Sequence, residues 1–137
     1  MVNKIKDQGK CGSCWAFSAT ASMESMHAIK TNKMKSLSEQ QLIDCSESKF
    51  GCEGGIFDAA WKDLQTMGGQ QSASSYPYNA RAGFSKTTCS FDKSKVVTTP
   101  VSYSMIASGD PVEIEYTLSR YCLLYTSPSP RDENGYL

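Results

Sequence analysis

The chain has 137 residues, with 14 basic and 14 acidic side chains and no net formal charge. That length suits one domain and is short for two, and the charge balance argues against nucleic acid or an acidic membrane as the main partner. No apolar run approaches the length of a membrane-spanning helix. The opening Met1-Val2-Asn3-Lys4-Ile5-Lys6-Asp7 is too polar for a secretory leader, so either the chain is cytosolic or its leader lies outside this sequence. Six cysteines are many for a cytosolic chain of this size. They point to disulfides and an oxidising or lysosome-like compartment, with metal binding as the rival reading.

The stretch Gln8-Gly9-Lys10-Cys11-Gly12-Ser13-Cys14-Trp15-Ala16-Phe17-Ser18 is the most informative. Two cysteines flank a Gly-Ser turn, and Cys14 opens a run in which Ala16, Ala19, Met23 and Met26 recur at helical spacing. This predicts a largely buried helix from residue 14 to about residue 30. At its amino end, unpaired backbone N–H groups and the positive end of the helix dipole favour a thiolate, a good nucleophile.

A second, short helix is expected from Glu39. Ser38 and Gln41 have capping-box spacing, and Leu37 and Leu42 have the spacing of a hydrophobic staple. The glycine-rich Gly51-Cys52-Glu53-Gly54-Gly55 follows, either a plain tight turn or a place where another backbone comes close. Phe57, Ala60, Trp61 and Leu64 form the apolar stripe of a third helix, stopped by Gly68-Gly69. Tyr76-Pro77-Tyr78 reads as extended, because the residue before a proline is pushed out of the helical region. Residues 95–103 are β-prone. Ser108-Gly109-Asp110-Pro111 reads as a turn into a helix over residues 112–120. Residues 123–132, with Pro128 and Pro130, have neither period and fit no helix or central strand.

These motifs, in this order, resemble the papain-like cysteine peptidases over about residues 2–120. The resemblance rests on Gln8-Gly9, the Cys11 to Ser18 run, Leu37-Ser38-Glu39-Gln40, Asp44-Cys45, Gly51-Cys52-Glu53-Gly54-Gly55 and Tyr76-Pro77-Tyr78. It implies an α+β, papain-like fold in which residues 1–120 are the helical amino-terminal lobe and the β-rich second lobe is largely missing. Cys14 then resembles the nucleophile. Gln8 resembles the side-chain donor of an oxyanion hole completed by the Cys14 backbone N–H. Gly55, next to Gly54, resembles the strip that pairs with an extended substrate, its missing side chain letting the peptide approach. Ile56 and Phe57 fall where the family receives the second residue before the cut, here an apolar one, although packing alone is the competing reading. Cys11–Cys52 and Cys45–Cys89 match the family's disulfides. The implied partners are a peptide or protein substrate, a propeptide and cystatin-like inhibitors, without cofactor or metal, in a lysosomal or secreted setting.

The family's base, a histidine oriented by an asparagine, lies roughly 130 to 150 residues beyond the cysteine. The single histidine, His27, does not match it. It stands on the same predicted helix as Cys14, about 20 Å away at about 1.5 Å per residue. About half of an active site is therefore expected, inactive alone. Cys122 has no family counterpart and is expected to be unpaired. Glu133-Asn134-Gly135-Tyr136-Leu137 resembles a stretch near the end of the family's second lobe, so residues 121–137 are expected to be a foreign or misjoined tail. Met1 is likewise expected to mark a truncation, since no propeptide precedes it. Two other functions compete: a lobe that binds peptides or inhibitors without cutting them, and a redox or zinc module on Cys11-x-x-Cys14. No strand precedes Cys11 as a redox motif needs, and Cys45 and Cys52 are spaced widely for a zinc knuckle.

Overall fold

The computed structural model describes residues 3–47, 51–84, 88–104, 106 and 110–120. Four helices dominate: α1 (Cys14–Thr31), α2 (Glu39–Cys45), α3 (Phe57–Met67) and α4 (Pro111–Arg120). Two short strands, β1 (Gln70–Gln71) and β2 (Val96–Thr98), pair antiparallel with an irregular register. The expected tail, residues 121–137 with Cys122, lies outside the described residues.

α1 packs against both α2 and α3. Its apolar face brings Trp15, Ala16, Ala19 and Met23 into one buried cluster with Leu37, Leu42, Ile43, Ala60, Trp61 and Leu64. The small side chains at Ala16, Ala19 and Ala60 keep the helices close, and two tryptophans fill the space around them. The expected stripe does not continue to Met26, which is 41% exposed. Past Met23 the chain returning toward α2 covers a different side of α1. Glu24 accepts a hydrogen bond from the Leu37 backbone N–H at 2.8 Å, and Ala28, one turn on, is buried in its place.

α2 starts where the sequence predicts, with the Ser38 side chain accepting from the Gln41 N–H at 3.0 Å. Only half of the capping box forms. The Gln41 amide does not return to Ser38. Its Nε2 donates to the Gly69 carbonyl (2.9 Å) and its Oε1 accepts from the Gln71 N–H (2.8 Å). The Ser38 N–H donates to the Gln71 carbonyl instead, at 3.0 Å. A buried strand backbone beside the helix needs those partners, so the tertiary contact displaces the local one.

Gly68, at φ +88°, ends α3, and the Gly69 N–H reaches back to the Leu64 carbonyl at 2.8 Å. The expected strand over 95–103 contracts to β2, because its partner β1 is two residues long and Pro100 has no N–H to give. β1 has no apolar alternation to announce it. Its Gln70 is instead buried by polar pairing, the Nε2 donating to Thr20 Oγ1 (2.8 Å) and to the Ser38 carbonyl (2.9 Å). α4 begins at Pro111, one residue earlier than expected, with Asp110 accepting from the N–H groups of Val112 and Glu113. Residues 108 and 109 of the expected turn lie outside the described residues.

Two disulfides, Cys11–Cys52 and Cys45–Cys89, link positions 41 and 44 residues apart. In the chain-entropy picture each loop closure stabilises the fold by about 4 kcal/mol.

An ion cluster holds the amino-terminal strip against the helices. Lys6 Nζ lies 2.5 Å from both Glu24 and Glu39, whose side chains are almost wholly buried. Burial by itself lowers the Lys6 pKa, but its hydrogen bonds to Glu24 and Glu39 outweigh that and leave it raised. A lysine raised on folding contributes stability that is full below its unfolded pKa and is lost as pH climbs through the folded one. Lys6→Met leaves two buried carboxylates facing each other, and the expected cost is about 3 kcal/mol. Chemical denaturation near neutral pH checks this. The variant is also expected to lose part of the parent's stability decline at alkaline pH, and an unchanged decline would contradict the assignment.

Candidate active site

The site is built on the first residue of α1. Cys14 is exposed and its thiol is free, while Ser13 before it and Trp15 after it are buried to 0% and 1% exposure. Ser13 is the residue that would cap α1, yet its hydroxyl makes no capping hydrogen bond. It lies 3.0 Å from the Tyr78 hydroxyl instead. The first-turn N–H groups beside Cys14 are thus left without that side-chain acceptor, and partial positive charge gathers there.

Gln8 reaches the same place from the preceding loop. Its Nε2 donates to the Cys11 carbonyl at 2.9 Å. The loop bends through Gly9 at φ +65°, where a methyl group would stand 2.5 Å from the Arg81 carbonyl oxygen. The Lys10 N–H donates to that carbonyl at 2.9 Å, so the loop lies directly on the backbone at residue 81.

The glycine strip is tied down from the other side. Cys11 is bonded to Cys52, and the Gly12 N–H donates to the Cys52 carbonyl at 2.7 Å. Gly54 has φ +126°, and Gly55 packs closely against the Trp15 indole. The structure adds a packing reason for the bare Gly55 backbone. A Cβ at Gly55 would point inward, 2.4 Å from the Trp15 ring. The missing side chain is what lets the strip settle on the tryptophan. Ile56, just before α3, is 58% exposed, while Phe57 is half-buried.

The sequence places Tyr78 in an extended segment and in one motif of the resemblance but gives it no role in the site, yet its hydroxyl reaches both Gln8 and Ser13. Its hydroxyl donates to the Gln8 carbonyl at 2.7 Å, and its ring meets Phe17 of α1 edge to face, with centroids 5.1 Å apart. Burial pushes its pKa up, against the pull of the Ser13 hydrogen bond, so the phenol keeps its proton. The repeated tyrosines around Pro77 were the available signal, but nothing local in them points back across some 70 residues to Gln8.

His27 is half-buried on α1, thirteen residues and about 20 Å from Cys14 along the axis. The redox and zinc readings fail on a positive observation. Cys11 is bonded to Cys52 and Cys45 to Cys89, so three of the four thiols they need are spent. A cavity of about 270 Å³ lined by Ser75, Tyr76, Pro77, Asn79 and Ser90 contains none of the residues around Cys14.

A family profile described as papain family cysteine protease matches residues 1–124. The chain belongs to the papain family of cysteine proteases. It is 47% identical over 116 residues to cysteine proteinase 2 of Dictyostelium discoideum, covering 83% of this chain and 30% of that protein. It is 42% identical over 116 residues to digestive cysteine proteinase 2 of Homarus americanus, covering 83% of this chain and 35% of that protein. Among solved structures, digestive procathepsin L 3 of the Tenebrio molitor larval midgut superposes with a TM-score of 0.77 at 41% identity. That match covers 87% of this chain and 38% of the other. The chain spans about a third of the length of the curated relatives it matches. The papain-like fold read from the motifs is therefore the fold observed, and the described helices with their small antiparallel pair correspond to its helical part.

Within this papain-family chain, the inward direction at Gly55 can be tested. Gly55→Ala drives a methyl group into the Trp15 indole and is expected to cost about 2 kcal/mol. Denaturant midpoints of the two proteins check it, and an unchanged midpoint would mean that the strip does not rest on Trp15.

Proposed function

We propose that this chain is the nucleophile-bearing part of a papain-like cysteine endopeptidase. The observation that carries the reading is an exposed, free thiol at the first residue of a buried helix, with the Gln8 amide held on the Cys11 carbonyl three residues before it. Residues 1–120 form the helical lobe in this reading, and residues 121–137 a separate tail. A lysosomal or secreted setting suits the two disulfides and the digestive relatives.

The chemistry is acyl transfer. The Cys14 sulfur adds to the scissile carbonyl carbon, and the negative charge moves to its oxygen. The second Gln8 N–H and the Cys14 backbone N–H meet that oxygen as the charge develops, a contribution of about 3 kcal/mol per donor. The C–N bond then breaks, and the amine leaves with the proton that a histidine base took from the thiol. Water adds to the thioester, the C–S bond breaks, and the acid and free thiol result. No residue of α1 can serve as that base, since His27 lies several turns from Cys14.

The substrate is an extended peptide whose backbone runs beside Gly54 and Gly55. Ile56 offers the exposed apolar surface for a hydrophobic residue two places before the cut, with Phe57 behind it. A propeptide would occupy the same groove in the opposite sense of function, as a plug. Cystatin-like inhibitors fall in the same class of partner, and the Tenebrio molitor structure is of a procathepsin.

In the full-length enzyme, Cys14→Ala is expected to abolish covalent labelling by a peptide-directed thiol probe and peptide turnover together. Gln8→Ala is expected to lower kcat about 10²-fold with little change in KM. Residues 1–137 alone are expected to hydrolyse no peptide substrate. Labelling that persists in Cys14→Ala, or turnover by residues 1–137 that requires Cys14, would refute the reading.

A further inference from the structure

We propose that Tyr78 is a positioning residue for the oxyanion donor, its hydroxyl closing a ring of hydrogen bonds that locks Gln8 to the residue before the nucleophile; this rests on the roles given above to Gln8 and Cys14. The ring can be followed atom by atom. Gln8 Nε2 donates to the Cys11 carbonyl (2.9 Å), which also accepts from the Ser13 backbone N–H (2.8 Å). Ser13 Oγ lies 3.0 Å from Tyr78 Oη, and Tyr78 Oη donates to the Gln8 carbonyl (2.7 Å). A hydroxyl has one proton, and a carbonyl only accepts. With the Tyr78 proton committed to Gln8, the Ser13 hydroxyl must be the donor to Tyr78. The Ser13 hydroxyl also lies 3.5 Å from the Cys11 carbonyl, a longer contact that leaves Tyr78 Oη as its nearer partner.

The circuit explains why Ser13 does not cap its own helix. Its hydroxyl is turned toward Tyr78 rather than toward the first-turn N–H groups, and Tyr78 is in turn fixed to α1 by the edge-to-face contact with Phe17. Tyr78 thus touches the start of α1 on either side of Cys14 in sequence, at the preceding Ser13 and at Phe17, and touches the Gln8 loop at a third point. The Gln8 amide has two N–H donors. One is held by the Cys11 carbonyl, which aims the other. If the Tyr78 hydroxyl is removed, the Gln8 backbone is no longer tied to Ser13, and the loop from Gln8 to Gly12 can shift against the helix start. A displacement of that kind weakens a transition-state contact more than substrate binding.

The test uses the full-length enzyme and Tyr78→Phe, which keeps the ring and its contact with Phe17. The expected result is a fall in kcat of about five- to tenfold with KM within about twofold, the size of one lost hydrogen bond. A peptide aldehyde, which forms a tetrahedral oxyanion on the thiol, is expected to lose affinity by a similar factor. Alkylation of Cys14 by iodoacetamide displaces iodide without forming an oxyanion, and its rate is expected to stay unchanged. The double variant Gln8→Ala/Tyr78→Phe is expected to be no slower than Gln8→Ala. Equal losses in alkylation and aldehyde binding, or additive losses in the double variant, would overturn the proposal. A Gln8→Ala effect without a Tyr78→Phe effect overturns this inference alone, whereas no effect from Gln8→Ala overturns the oxyanion reading as well. Should Tyr78→Phe not fold, Ser13→Ala opens the same ring and is expected to lower kcat and aldehyde affinity with alkylation unaltered; unchanged kcat there would equally overturn it.

Discussion

The architecture turns on one constraint at the start of α1. Ser13 and Trp15 must be fully buried while Cys14 between them stays exposed. On a helix, neighbouring residues point about 100° apart, so a first turn seated against the core on two sides leaves one direction open. Trp15 supplies the seat. Its indole carries the glycine strip on one face and joins the α1–α3 cluster with the rest of its surface. The Cys11–Cys52 bond and the Gly12 N–H contact with the Cys52 carbonyl prevent the strip from sliding.

Much of the remaining order comes from buried amides rather than from regular sheet. Gln40, Gln41, Gln70 and Gln71 are all at most 1% exposed. Gln40 Oε1 accepts from the N–H groups of Asn79 and Ala80, and Gln71 Oε1 accepts from that of Asp92. Long connections from residue 69 onward lack the strand partners that would satisfy their backbones. A burial cost of several kcal/mol would fall on each unpaired group, and the side-chain oxygens of Gln40, Gln41 and Gln71 remove it at these N–H groups. These side chains act as portable peptide groups, and they place the segment bearing Tyr78 where it can reach Gln8.

Asp44 and Tyr76 extend this pattern to the second disulfide. The Tyr76 hydroxyl donates to Asp44 at 2.9 Å and accepts from the Ser90 N–H at 3.1 Å, next to the Cys45–Cys89 link. The two tyrosines around Pro77 therefore serve different parts of the lobe, one securing the disulfide-linked loop and the other the helix start.

The sequence by itself determined the family, the helices and the identity of the exposed sulfur's neighbours. Those follow from local signals: the 3.6-residue period after Cys14, the serine before α2, the glycines after α3 and a chemically distinctive cysteine motif. What only the tertiary structure decided is polar and non-local. It diverted Gln41 from its capping box to β1, made a buried strand of two glutamines, ended the α1 stripe at Met23, turned the bare side of Gly55 toward Trp15 and brought Tyr78 to Gln8. The physical reason is common to all five. Helix periods and caps are set within a few residues, whereas the partner of a buried hydrogen-bonding group, or the ring beneath a glycine, is chosen by whatever distant backbone the fold delivers to it.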